Sequence, residues 1–254
     1  MVERSETLGG IESHVTALSF KSRLFATALG ADRIDALDED VFTGLCALIA
    51  PVRRRLGHHL AQTGFAPVRD AVRTLLDGAH DTTTTDARLD AFQRRFPAGR
   101  SHRWTRDLGA ELLHFSDPER YPLMTRWIWD RAANTGVLRE IWHAADLDHL
   151  TLDVPDRFET FLVLREELAG FLSDNGIFRD TLLYVDLLCA QVYSEYIAAQ
   201  GGSFLRTDFA AAVDPMAFTR RMLGLDGIDP ETGRTRFKRG DGAPHVVDQP
   251  SLPI

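Results

Sequence analysis

An all-α fold is predicted by the periodicity of the apolar residues. These residues recur at intervals of three and four through most of the 254-residue chain, which is the spacing of one helix face. Runs that alternate apolar and polar residues, and would indicate strands, are nearly absent. Glycine, proline and short polar residues separate the periodic stretches, where helices end and begin. We therefore expect a single compact domain of about nine or ten helices.

Local signals define most of the predicted helix ends. Gly30 follows the first periodic stretch, at the position where glycine commonly ends a helix. Asp38 or Asp40 can cap the second helix, and Pro51 should break it. Pro67 stands where a first-turn proline belongs. The predicted helices cover residues 11–28, 41–64 with the break at Pro51, 67–76, 89–96, 104–113, 119–128, 137–144, 156–173, 179–199 and 215–223.

The helix over 119–128 carries a prediction about two tryptophans. The sequence Ser-Asp-Pro-Glu at 116–119 offers a capping side chain, a first-turn proline and an acidic residue near the positive end of the helix dipole. Trp127 and Trp129 are two residues apart, so they would not share one helix face. One of them is therefore expected at a surface, groove or partner contact.

The chain shows one weak internal boundary and one change of composition. Residues 147–155 are irregular and are the best internal boundary available. From Gly224 onward glycine, proline and charged residues dominate. We therefore expect a helical domain over 1–223 and an irregular, loosely ordered C-terminal arm over 224–254.

Composition excludes several classes of protein. Hydrophobic residues are 44% of the chain and charged residues 26%, which excludes a wholly disordered protein. The net charge of -8 argues against a protein that mainly coats nucleic acid or an acidic membrane. The 2 cysteines lie in apolar helical stretches, which excludes a disulfide scaffold and suits the cytoplasm. No export signal or membrane-spanning stretch is found, and the arginine-rich, lysine-poor composition indicates a bacterial source.

Two Glu-x-x-His pairs suggest a metal site. Glu111 and His114 form the first pair, and Glu140 and His143 the second. This spacing places a carboxylate and an imidazole on one helix face, as in di-iron carboxylate bundles. Iron, manganese or zinc would be the metal of an oxidase or hydrolase built on these four residues, and without such a site no cofactor is expected. Solvated or cap-associated side chains are the alternative interpretation.

A second set of polar residues resembles that of the helical HD-type phosphohydrolases. His80 and Asp81 form the His-Asp pair, with His58 and His59 upstream and Asp146 or Asp148 downstream. The resemblance implies a metal-activated water. Here the pair precedes four threonines rather than closing an apolar helix, which favours a capped helix end or an exposed loop.

Residues 112–130 resemble a segment of helix-hairpin-helix DNA-glycosylase-like proteins. An apolar helix ends at Phe115, and the Pro118 and Tyr121-Pro122 turn leads onward, as in that family. The resemblance implies a related all-α fold and a DNA-binding or repair-related function. The chain has no lysine between Lys21 and Lys238, so the resemblance does not extend to a Schiff-base glycosylase.

The densest basic stretch lies at residues 88–106. This stretch contains six arginines and one acidic residue, with aromatic residues between them in the sequence. Guanidinium groups beside aromatic rings suit an acidic protein partner or nucleic acid, and an ordinary solvated helix face is the alternative. Because no catalytic set stands out, we expect an accessory protein that docks a protein partner, with nucleic acid as the alternative partner and no membrane. The predicted binding residues are Arg88, Arg94, Arg95, Arg100, Arg103, Trp104, Arg106, Trp127 and Trp129.

Overall fold

The fold is all-α, as predicted. The structure is a computed structural model, and it describes residues 10–30, 33–142, 151–201, 215–228, 234–238 and 244–246. Ten α-helices lie in this part of the chain. They are α1 (Gly10–Leu29), α2 (Glu39–Ala47), α3 (Leu56–Thr63), α4 (Ala66–Leu76), α5 (Thr85–Gln93), α6 (Trp104–Ser116), α7 (Val137–Ile141), α8 (Phe158–Asp174), α9 (Thr181–Gly201) and α10 (Pro215–Met222).

The chain divides into two compact units. The first unit consists of Met1–Leu18 and Pro122–Leu223, and the second consists of Ser19–Tyr121 and Gly224–Ile254. Within the predicted boundary at 147–155, residues 151–155 lie inside the first unit, and 147–150 lie outside the described residues. No helix of the described ranges has both the length and the apolar character needed to cross a membrane.

The second unit contains the helices whose ends the sequence predicts well. The Asp38 side chain accepts a hydrogen bond from the Val41 backbone N–H at 2.7 Å, which caps α2. Pro67 lies in the first turn of α4. A backbone N–H at this position would have no hydrogen-bond partner within the helix, so proline costs nothing there. Helices α4, α5 and α6 pack against one another. Phe92 of α5 and Leu108 and Leu112 of α6 are fully buried in this unit.

The first unit is organised around the long helix α9. Helices α7, α8 and α10 all pack against it. Ser194 of α9 and Thr219 of α10 join their hydroxyl groups at 3.0 Å, and the Tyr184 hydroxyl donates to the Glu12 carboxylate at 2.8 Å. These polar contacts, the first buried and the second partly buried, fix the position of α9 within the unit.

The predicted helix over 119–128 is wrong. Residues 118–120 form one turn, and residues 121–125 are neither helix nor strand. Asp117 accepts the backbone N–H groups of Arg120 and Tyr121, but the turn stops there. Pro122 has no N–H to continue the helix, and it also disfavours helical backbone at the residue before it. The restriction that Pro122 places on the backbone therefore outweighs the helix-start pattern at 116–119.

The C-terminal arm contains local structure that the sequence does not predict. Strand β1 (Arg234–Lys238) pairs with strand β2 (Pro244–Val246) in an antiparallel sheet. Asp226 accepts two hydrogen bonds from the Arg53 guanidinium, at 2.8 and 3.2 Å. Gly224 has φ +74°, and a Cβ there would overlap the Leu48 carbonyl. The chain therefore passes directly against the backbone at the end of α2, which only glycine allows.

Candidate functional site

The predicted metal ligands have other partners or other locations. Glu111 and His114 are buried on α6. The Glu111 carboxylate accepts a hydrogen bond from Lys21 at 2.8 Å, and His114 Nδ1 lies 2.8 Å from the Tyr121 carbonyl oxygen. Glu140 is exposed on α7. Predicted ligand His143 lies outside the described residues, within which no three His, Cys, Asp or Glu side chains converge on a metal position.

The described residues of the HD-type set also have other roles. His80 and Asp81 are exposed, and the Asp81 carboxylate accepts the Thr83 backbone N–H at 3.0 Å. Asp81 therefore caps the short 3₁₀ turn Thr82–Thr84, which is the structural role that the sequence offers as the alternative. Asp146 and Asp148 lie outside the described residues.

A buried lysine is the polar centre of the second unit. Lys21 is 1% exposed, and its ammonium donates to the Leu48 carbonyl at 2.7 Å and to Glu111 at 2.8 Å. The same nitrogen lies 3.8 Å from the ring centroid of Phe115, which is a close cation–π contact. Sequence reasoning missed this cluster, although a signal exists. Lys21 is three residues after Leu18, and this spacing places a charge on the apolar face of α1.

Burial controls the titration of the groups around this lysine. It raises the pKa of Glu111 above the usual value, and the Lys21 charge opposes that rise. It also raises the pKa of the Cys46 thiol well above its usual range, and the nearby Glu111 charge acts in the same direction. Since every group here is buried, the cluster stabilises the unit and presents no reactive group to solvent.

The predicted basic binding residues separate into exposed and buried sets. Arg94, Arg95, Arg100 and Arg103 are exposed and follow one another around the connection from α5 to α6. We call these four residues the arginine edge. Arg106, further along, is partly buried.

Arg88 belongs to the interior of the second unit. It is 9% exposed, and it donates to the Leu75 carbonyl at 2.5 Å and to the Tyr121 hydroxyl at 2.7 Å. The Tyr121 hydroxyl in turn donates to the Ala79 carbonyl. The Arg88 guanidinium therefore links α5 to α4 and to the segment that follows α6.

Buried aromatic rings lie on the same segment as the arginine edge. Phe96 and Trp104 are buried with ring centroids 5.7 Å apart, and His59 lies 5.3 Å from Phe96 and 5.7 Å from Trp104. His102 completes the cluster at 5.9 Å from His59. Burial lowers the pKa of His59, and the neighbouring His102 and His58 lower it further. The rings hold the edge in shape and leave little ring surface for a ligand to stack on.

Trp127 and Trp129 are both buried in the first unit, so the prediction that one of them lies at a surface is wrong. Trp127 is 7% exposed and contacts the Tyr193 ring at 5.9 Å. Trp129 is fully buried and donates its indole N–H to the Val154 carbonyl at 3.0 Å. The prediction assumed a helix, whereas the segment is irregular and both rings enter the core.

No family model matches the chain, and neither a curated protein nor a solved structure does.

Proposed function

We propose that this protein is a helical binding protein that docks an acidic protein partner through the arginine edge. One observation carries the proposal. Arg94, Arg95 and Arg100 are exposed, and no carboxylate of the described residues forms an ion pair with them. Three other surface arginines do form such pairs: Arg73 with Asp35 and Asp70, Arg120 with Asp117, and Arg131 with Asp153. Arg54, Arg55 and Arg179 are exposed and also have no ion pair with a described residue, so the edge is distinguished by the number of such arginines on one short segment.

The guanidinium groups of Arg94, Arg95 and Arg100 suit recognition of carboxylates. The guanidinium is planar and carries several donors, so it binds a carboxylate through two parallel hydrogen bonds. Clustered on one short segment, the arginines also attract a negatively charged surface before contact, which accelerates association at low salt. On a chain with a net charge of -8, such a cluster is a local reversal of charge.

The burial of the aromatic rings favours a protein partner over single-stranded nucleic acid. Proteins that bind single strands stack bases on exposed aromatic side chains. Phe92, Phe96 and Trp104 are 0, 7 and 5% exposed, so these rings offer little stacking surface. Carboxylate recognition needs the guanidinium groups alone.

A cytoplasmic protein is consistent with Cys46 and Cys189, which are both free and buried.

The test compares two charge-reversed variants of matched design. Arg94→Glu/Arg95→Glu reverses two adjacent exposed arginines just after α5, and Arg220→Glu/Arg221→Glu reverses two adjacent arginines in the last turn of α10, one partly buried and one exposed. Binding of a fluorescent polyglutamate peptide and of a DNA duplex is measured by fluorescence anisotropy at several salt concentrations. We expect the peptide to bind the unaltered protein in a salt-dependent manner, and the edge variant to weaken binding at least about tenfold.

The control variant should bind the peptide nearly as well as the unaltered protein. Equal losses in both variants would mean that general charge, rather than the arginine edge, determines binding. Absence of peptide binding would overturn the proposal, and preferential binding of the duplex would replace it with a nucleic-acid function.

A further inference from the structure

Helix α8 presents one exposed face that is acidic and partly apolar. The side chains of Glu159, Glu166, Glu167 and Asp174 are all exposed, and so are Val163 and Phe171, at 55 and 57%. At 100° per residue these six positions fall within an arc of about 140°. We call these six residues the acidic face. The opposite side of α8, including Phe161 and Leu172, is buried in the first unit.

Large exposed apolar side chains between carboxylates indicate a contact surface. Phe171 and Val163 leave apolar area in water, which is favourable to bury in a complex. Phe178, just beyond the helix, is 77% exposed. The acidic face extends from Glu159 to Asp174, a length of about 22 Å, which is sufficient to contact one short segment of another molecule.

The arginine edge complements the acidic face in charge and in apolar content. Arg94, Arg95 and Arg100 are exposed without an ion pair among the described residues, and Arg103 is exposed beside them. Four exposed carboxylates stand against them, of which Glu166 already accepts from Arg165 at 2.8 Å. Pro97 and Ala98 lie between Arg95 and Arg100 and are also exposed, so the edge offers small apolar groups beside its charges. Arginine stems pack well on aromatic rings, and Phe171 provides such a ring.

From this complementarity we infer that the acidic partner of the arginine edge is a second copy of this chain, bound through its acidic face on α8. This inference rests on the proposed function, because it names the partner for that edge. Each copy carries both surfaces, so two reciprocal contacts would close a twofold dimer, and a single contact would leave one edge and one acidic face free for further copies. In both cases association increases with concentration and falls with added salt.

Charge-swapped variants test the contact directly. Arg94→Glu/Arg95→Glu removes the edge, and Glu167→Lys/Asp174→Lys removes the acidic face. Sedimentation velocity of the full chain is measured over a range of concentrations for each variant alone and for their equimolar mixture. We expect each variant alone to be monomeric, with association weakened at least about tenfold. The mixture should form a dimer, since the intact edge of one variant can bind the intact acidic face of the other.

A control variant and the peptide assay separate the outcomes. Glu39→Lys/Asp77→Lys changes the same charge at exposed positions of the second unit and should self-associate like the unaltered chain. A monomeric unaltered chain that still binds polyglutamate would overturn this inference and leave the proposed function standing. A mixture that fails to form the dimer would also overturn it. Absence of polyglutamate binding by the unaltered chain, with self-association intact in the edge variant, would overturn both.

Discussion

Replacing Lys21 by methionine should strongly destabilise the protein. Methionine keeps the apolar stem of the side chain but removes the charge, leaving the 2% exposed Glu111 without its partner at 2.8 Å. It also removes the donor to the Leu48 carbonyl and the cation above Phe115. Breaking a buried ion pair from one side costs about 3–5 kcal/mol. Packing of the methionine offsets part of this, so we expect a loss of about 3 kcal/mol at neutral pH.

The pH dependence of the Lys21→Met variant should have a definite sign. Burial raises the pKa of Glu111, and Lys21 is the main influence that lowers it. Without the lysine, the pKa in the folded state rises further above the unfolded value. Between these two pKa values the folded chain holds a proton that the unfolded chain has lost. The free energy of unfolding therefore falls as pH rises, by up to about 1.4 kcal/mol per pH unit.

Urea unfolding followed by circular dichroism at several pH values measures both effects. The variant should lie nearest the unaltered protein in acid and furthest from it at alkaline pH. The double variant Lys21→Met/Glu111→Leu removes both charges and should recover at least half of the loss. A single variant within about 1 kcal/mol of the unaltered protein, with the same pH profile, would refute the reasoning. A double variant as unstable as the single one would assign the loss to packing.

Three further substitutions and one chemical reaction test the description of the structure. Gly224→Ala should lose more than about 2 kcal/mol by urea unfolding, because its Cβ would overlap a backbone carbonyl. Gly170→Ala, an exposed helical position with open space around it, should instead gain up to about 1 kcal/mol. Tyr121→Phe should cost about 1–3 kcal/mol, since the buried Arg88 loses an acceptor; unchanged stability would contradict that role. Cys46 and Cys189 should resist iodoacetamide until the chain unfolds, because burial raises the pKa of both thiols, and mass spectrometry of the native protein would detect any early reaction.

Helix positions were predictable where local signals act alone. Apolar periodicity predicted α1, α8 and α9, and Asp38 and Pro67 act at helix starts as their chemistry suggests. The segment after Asp117 failed because two local signals conflicted, and the backbone restriction at Pro122 prevailed. The antiparallel pair in the C-terminal arm could not be predicted, because its strands are only 5 and 3 residues long and such short runs carry no clear period.

The candidate site was predictable only in part, because composition does not reveal which charges are buried. The arginine-rich stretch was visible in the sequence, but Arg88 and the exposed arginines differ only in where the fold places them. The tryptophans gave a misleading signal, since their directions depend on a helix that does not form. Lys21 could have been recognised from its position on an apolar helix face, whereas its partner Glu111 lies 90 residues away, beyond the reach of periodicity.

The buried position of Lys21 gives the protein an internal reporter of opening. The chain contains 2 lysines, Lys21 and Lys238, so amine-directed reagents have few targets. A reagent that needs a free, solvated amine cannot reach Lys21 while the second unit is closed. Acylation of Lys21, resolved from that of Lys238 by peptide mapping, would therefore count the molecules that have opened at this point of the core. Crosslinking and surface immobilisation through amines would leave the folded interior untouched for the same reason.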